Sequence, residues 1–230
     1  MREENKNIAG RIIFPLIIVA LMLLVEILGF AKGIRYTQWG IYPRDTDNLI
    51  GIITAPFIHK DIEHLFSNLF PMVMLLAIMV FFYNRIAVVS YLLITVLTGL
   101  MVWLFARPAF HIGASGVVYG LVAFVAWTGI FRRNLKSIVL ALMILAVYGS
   151  YFGGIVPNEE GVSWESHLFG GLVGIFTAFV MKNVREPDEE IKKEDPFKDE
   201  EDPQYFFPRD TFEKTKMQRY LDSLTPDEEE

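Results

Sequence analysis

The sequence has no cysteine and only four histidines among its 230 residues. The first absence excludes disulfides, thiol nucleophiles and thiolate metal sites, and it leaves the redox compartment unread. Glycine fingerprints that cradle phosphates in P-loop and dinucleotide folds are missing, as is any repeat of solenoid period. Charge is scarce in the uniformly apolar stretches, where Glu26 and Glu165 are the acidic candidates for a metal site. What remains is hydrophobic: 53% of residues are apolar and the mean hydropathy is +0.36. That is the composition of a membrane protein.

The charges present are unevenly placed. From Glu186 onward there are 17 acidic and 7 basic residues, a net of −10, so residues 1–185 carry +4 of the overall −6. This predicts a short N-terminal segment over 1–11, an apolar body over 12–183 and an acidic, largely disordered tail over 184–230. A bilayer core takes about 20 apolar residues per helix. Six candidate spans result: Ile12 to Phe30, His59 to Phe82, Ile86 to Phe105, Ser115 to Phe131, Ser137 to Val156 and Glu165 to Met181. The first is too long for a signal-peptide core and lacks a small-residue cleavage site, so it reads as a retained anchor. The fold class is an all-α integral membrane protein.

Orientation follows from the basic residues of short loops. Arg2, Lys6, Arg11, Arg85, Arg132, Arg133, Lys136, Lys182 and Arg185 fall on one side. The other side mixes bases with acids, so both termini are expected in the cytoplasm. The second, fourth and sixth spans then all begin near the outer leaflet. The loop from Ala31 to Pro56 carries Tyr36, Trp39 and Tyr42, amphipathic rings suited to the outer interface.

All four histidines, His59, His64, His111 and His167, fall at the expected outer ends of spans. Ser115 lies in "HIGASGVVYG", between Gly113 and Gly116, where a loop meets a helix. A serine so placed is either packing material or a nucleophile beside free helix N-terminal N–H groups. A serine nucleophile needs a base. His111 is the near candidate, but Gly113 separates it from the helix; His167 is the distant one. In "SHLFGGLVG", Gly170 and Gly174 share a helix face with His167, and Gly116 and Gly120 form a matching pair beside Ser115. Such small-residue stripes let two helices approach until backbones nearly touch. Tyr119 lies one turn below Ser115, where its ring is able to stack on an imidazole. His64 and Asn68, at i and i+4 in "HLFSNLF", put two N–H donors on one face of the second span.

Taken together, these motifs resemble the rhomboid family of intramembrane serine proteases. The resemblance covers about residues 10–183 and implies a six-transmembrane-helix bundle. It implies Ser115 as nucleophile and His167 as general base in a dyad without an acidic third member. It further implies His64, Asn68 and the Ser115 backbone N–H as oxyanion stabilisers, Tyr119 as the ring packed on His167, and Gly113 as the shaper of the turn, with Gly170 and Gly174 supporting the dyad. Many members carry a Trp-Arg pair in the first loop; here "QWGIYPR" is the nearest text. The implied activity is endoproteolysis in or near transmembrane helices of membrane-protein substrates, at the cell membrane, with no cofactor, metal or nucleic acid. Oligomeric state is not encoded in any motif. Substrate access in the family is thought to lie beside the fifth helix, which here ends in "YGSYFGGIVP".

Two other classes fit parts of the pattern. A non-catalytic adaptor binding transmembrane helices would use the same bundle, and a transporter or metalloenzyme would use the histidines as metal ligands. In the tail, "RDTFEKTKMQRYLDSL" is a candidate short helix, with Asp210 and Glu213 as a capping box.

Overall fold

The computed structural model describes residues 2–156, 163–187 and 212–224. The chain divides into two units, residues 1–190 and residues 191–230. In the first unit, seven α-helices follow one another: α1 (Arg2–Lys32), α2 (Gly51–Thr54), α3 (Ile62–Phe82), α4 (Ala87–Phe105), α5 (Ser115–Arg132), α6 (Leu135–Tyr148) and α7 (Trp164–Met181). Among the described residues there is no strand beyond a single bridge between Ile41 and His111. Among the described residues five helices are long and apolar enough to cross a membrane: α3, α4, α5, α7 and the Gly10–Lys32 part of α1. The protein is a multi-pass helical membrane bundle.

The expected fifth span differs. Its α-helix stops at Tyr148 and gives way to a 3-10 segment over Gly149–Ile155. Glycines at 149, 153 and 154 lower helix propensity by about 1 kcal/mol each relative to alanine, which favours a change of winding here. The second span starts at Ile62 rather than His59, because Asp61 accepts from the His64 N–H and fixes the helix start.

Helix α5 is the axis of the bundle: 67% of its apolar window is buried, against 11% for α1. Its buried Leu121, Phe124 and Val125 meet Leu75, Leu76 and Met79 of α3 and Ile94 of α4 in one hydrophobic core. Helices α5 and α7 run parallel. A side chain at Gly170 would run into the Gly116 carbonyl, and one at Gly174 into the Gly120 carbonyl, so only hydrogen atoms separate the two backbones.

The loop between α1 and α3 is clamped rather than loose. Arg44 donates to the carbonyls of Leu104 (3.1 Å) and Ala106 (3.0 Å) at the end of α4. The Ile41–His111 bridge and a Gly113 N–H to Ala55 carbonyl bond (2.9 Å) tie the same loop to the segment preceding Ser115. At the opposite end, the backbone N–H of Arg85 donates to the Glu186 carboxylate (3.1 Å), and Arg132 donates to the Val184 carbonyl (2.5 Å). Both helix-joining turns there are thereby fastened to the segment that follows α7.

In the second unit the described structure is α8 (Lys216–Leu224), a nine-residue α-helix, and the short turn that precedes it. Thr215 and Gln218 form a capping box at the start of the helix: the Thr215 N–H reaches the Gln218 side chain at 2.8 Å, and Thr215 Oγ1 accepts from the Gln218 N–H at 3.3 Å. Asp210 lies outside the described residues, as does most of the segment for which disorder was expected.

Candidate active site

Ser115 is the first residue of α5, and no side chain caps that helix. Its N-terminal N–H groups therefore lack intrahelical partners. Gly113 makes this entry possible, since its φ of +100° lies where only glycine is at ease. From the first turn of α7, the imidazole of His167 reaches across the glycine seam, and its Nε2 sits 2.8 Å from Ser115 Oγ. On the far side of the ring, Nδ1 sits 2.8 Å from the Gly154 carbonyl. A carbonyl only accepts, so Nδ1 carries the proton and Nε2 is left to accept from the serine hydroxyl. Tyr119 stacks on the ring with centroids 4.1 Å apart and planes 5° from parallel. The histidine is buried and the serine half-buried.

His64 and Asn68 lie on the neighbouring helix α3. The His64 Nε2 packs so closely on Gly113 that a Cβ there would lie 2.7 Å from it, and the Asn68 amide nitrogen would be 3.8 Å from the same Cβ. A long contact of 3.4 Å from the Lys60 N–H to His64 Nδ1 marks that nitrogen as the acceptor and leaves the Nε2 proton facing the Ser115 loop. Asn68 donates one amide hydrogen to the His64 carbonyl at 2.8 Å and keeps a second.

His111 is occupied elsewhere. Its Nδ1 meets Ser163 Oγ at 2.6 Å, its Nε2 meets the Arg107 carbonyl at 3.0 Å, and Ser163 Oγ in turn meets Ser166 Oγ at 2.6 Å. Burial is the main influence that lowers the His111 pKa below the ordinary histidine value. Nearby, Arg107 pairs with the buried Glu165 at 3.5 Å. These groups fasten the loop before α5 to the start of α7.

The Rhomboid domain family matches residues 46–184, a stretch that holds every residue of this constellation. The chain belongs to the rhomboid family. Relatives include an uncharacterized protein of Mycobacterium tuberculosis, 37% identical over 172 residues, covering 71% of this chain and 72% of its own. An uncharacterized protein of Mycobacterium leprae is 30% identical over 191 residues, with 78% and 75% covered. Rhomboid-like protein 11, chloroplastic, of Arabidopsis thaliana is 28% identical over 169 residues, covering 61% of this chain and 56% of its own.

Three features of this rhomboid site had no signal in the residue pattern: the Gly154 carbonyl, the Ser163–Ser166 pair that engages His111, and the Ala55 carbonyl that holds Gly113. Two of them act through backbone atoms, which no residue type announces. The Arg107–Glu165 pair was visible only as two charges far apart in sequence. His59 stands apart from the catalytic geometry. It is 6% exposed, its ring lies edge-on to that of His64 with centroids 5.2 Å apart, and neither of its nitrogens completes a hydrogen bond, although the Phe57 backbone lies close by. Among the described residues no three histidine or carboxylate side chains converge to hold a metal ion.

Proposed function

We propose that this rhomboid is an intramembrane serine endopeptidase that hydrolyses peptide bonds in or near transmembrane helices of other membrane proteins. The observation that carries the reading is the 2.8 Å Ser115 Oγ to His167 Nε2 contact. His167 takes the hydroxyl proton as Ser115 attacks the scissile carbonyl, then returns it to the leaving amine. The oxyanion is received by the Ser115 N–H, His64 and Asn68, donors already aimed before charge develops. Water drawn from the outer aqueous face then hydrolyses the acyl-enzyme with His167 again as base. No acidic side chain takes part; the nearest acidic residue on α7, Glu165, is held by Arg107.

The density of lysine and arginine at the Arg85, Arg132 and Lys182 end supports a cytoplasmic location for both termini in the cell membrane, with the dyad near the outer leaflet. Substrates are single-span proteins whose helices unwind near that face, because a helical carbonyl is shielded by its own hydrogen bond.

The test is cleavage of a model transmembrane substrate in proteoliposomes, paired with covalent labelling by a fluorophosphonate. Wild type is expected to cleave and to label; Ser115→Ala should do neither, and His167→Ala should fall by at least about 10³-fold. His111→Ala should keep the chemistry. A folded wild type that neither labels nor cleaves would make the protein a helix-binding adaptor, and loss of turnover in His111→Ala with retention in His167→Ala would reassign the base.

A further inference from the structure

The dyad has no carboxylate behind its histidine, yet the far nitrogen of that ring is not left to solvent. We infer that the backbone carbonyl of Gly154 is the positioning group that fixes the tautomer of His167, and that the segment 149–155 thereby sets the dyad whenever it lies against the ring. This rests on the reading of Ser115 and His167 as the reacting pair.

Three observations converge on Gly154. Its carbonyl lies 2.8 Å from His167 Nδ1, a distance at which the ring must donate. A Cβ on residue 154 would collide with the Tyr119 hydroxyl and lie 3.2 Å from His167 Nδ1, so the carbonyl reaches the ring only because the residue is glycine. Tyr119 stacked on the ring face removes the remaining freedom of rotation about the plane. In a triad, a buried carboxylate holds the Nδ1 proton and stabilises the imidazolium. Here a neutral dipole takes that place. It orients the ring without adding a buried negative charge to an apolar body, where an unpaired carboxylate is costly.

The neighbouring glycines supply the controls. Residues 149 and 153 have nothing within 4 Å of where a Cβ would stand. If glycine served only to loosen the end of α6, alanine at 149, 153 or 154 would act alike. If Gly154 acts by close approach, only Gly154→Ala disturbs the dyad.

The decisive measurement is the nitrogen-15 spectrum of the full-length protein in detergent micelles, labelled in its four histidines, with His167 assigned by its loss in His167→Ala. At alkaline pH the wild-type ring is expected as the Nδ1–H tautomer. Gly154→Ala should shift it to a mixture and slow fluorophosphonate labelling on the order of 10- to 100-fold, the scale of a small misplacement of reacting groups. Gly149→Ala and Gly153→Ala should leave both readouts as in wild type. Adding Tyr119→Phe, which removes the colliding hydroxyl and keeps the ring, should restore part of the Gly154→Ala labelling rate. A wild-type Nε2–H tautomer overturns the inference, as does equal labelling by Gly154→Ala. A wild type that shows the Nδ1–H tautomer yet never labels would instead overturn the proposed chemistry and leave the positioning intact.

Discussion

Two histidines, His59 just ahead of α3 and His64 in its first turn, have opposite circumstances. His64 presents Nε2 to the Ser115 loop, and under the proposed mechanism, in which it is one oxyanion donor, its removal is expected to lower kcat by about 10²- to 10³-fold with little change in KM. Steady-state kinetics of His64→Ala on the model substrate would show this, and a rise in KM alone would make the residue a binding contact. His59 is enclosed without hydrogen-bond partners, and burial, aided by the charge of His64 and opposed by Asp61, pushes its pKa down to about 4. Because the folded value lies below the unfolded 6.5, the stability held by neutral His59 is complete above pH 6.5. It is lost as pH falls from 6.5 towards 4, by on the order of 3 kcal/mol. His59→Phe keeps a ring and orphans no partner. It should flatten this part of the pH dependence of unfolding in mixed micelles and cost little at neutral pH, whereas an unchanged slope would place the titration elsewhere.

At the scale of elements, the seam between α5 and α7 decides whether the site exists. Gly170→Ala would push a methyl group into the Gly116 carbonyl, while Gly171→Ala meets nothing within 4 Å. The first is expected to cut turnover by more than about 10-fold through a lengthened Ser115–His167 contact. The second should leave activity intact and raise stability by up to about 1 kcal/mol through helix propensity. Comparing cleavage rates and unfolding midpoints of the two variants tests the seam directly. This seam was legible in the sequence because its information is periodic: glycines at the spacing of one helix face beside a histidine, and a second pair beside a serine. Ser115, Tyr119 and His64 with Asn68 were legible for the same reason, their chemistry residing in side chains at helical intervals. The Gly154 carbonyl was not, since a backbone acceptor has no letter of its own. Neither was the end of α6, where an apolar run continues past Tyr148 but three glycines change the winding. In the tail, the Thr215–Gln218 box at the start of α8 has the spacing of a capping box just ahead of the apolar stripe that begins at Met217.

For the whole molecule the number of crossings turns on α6 and the segment that follows it. Helix α6 alone, at 1.5 Å per residue, spans about 21 Å, short of a hydrocarbon core of about 30 Å. The seven-residue 3-10 segment adds up to about 14 Å where it continues outward. Under the proposed topology, in which this segment completes a sixth crossing, Gly10 and Asn183 fall on one side of the membrane. The absence of cysteine makes this simple to test, because any single introduced thiol is unique. In sealed, oriented vesicles a membrane-impermeant maleimide added outside is expected to label Gln38→Cys and to spare Asn183→Cys, both exposed positions in the described structure, until the membrane is opened. Labelling of both from outside would remove one crossing or reverse the orientation.

The backbone contact between Gly116 and Gly170, and again between Gly120 and Gly174, also determines how the site ages and adapts. Backbone meets backbone at these two pairs, so side-chain repacking has little room to absorb a change at any of the four glycines. Substitutions elsewhere in the bundle are then expected to leave the 2.8 Å Ser115–His167 distance where four glycines put it.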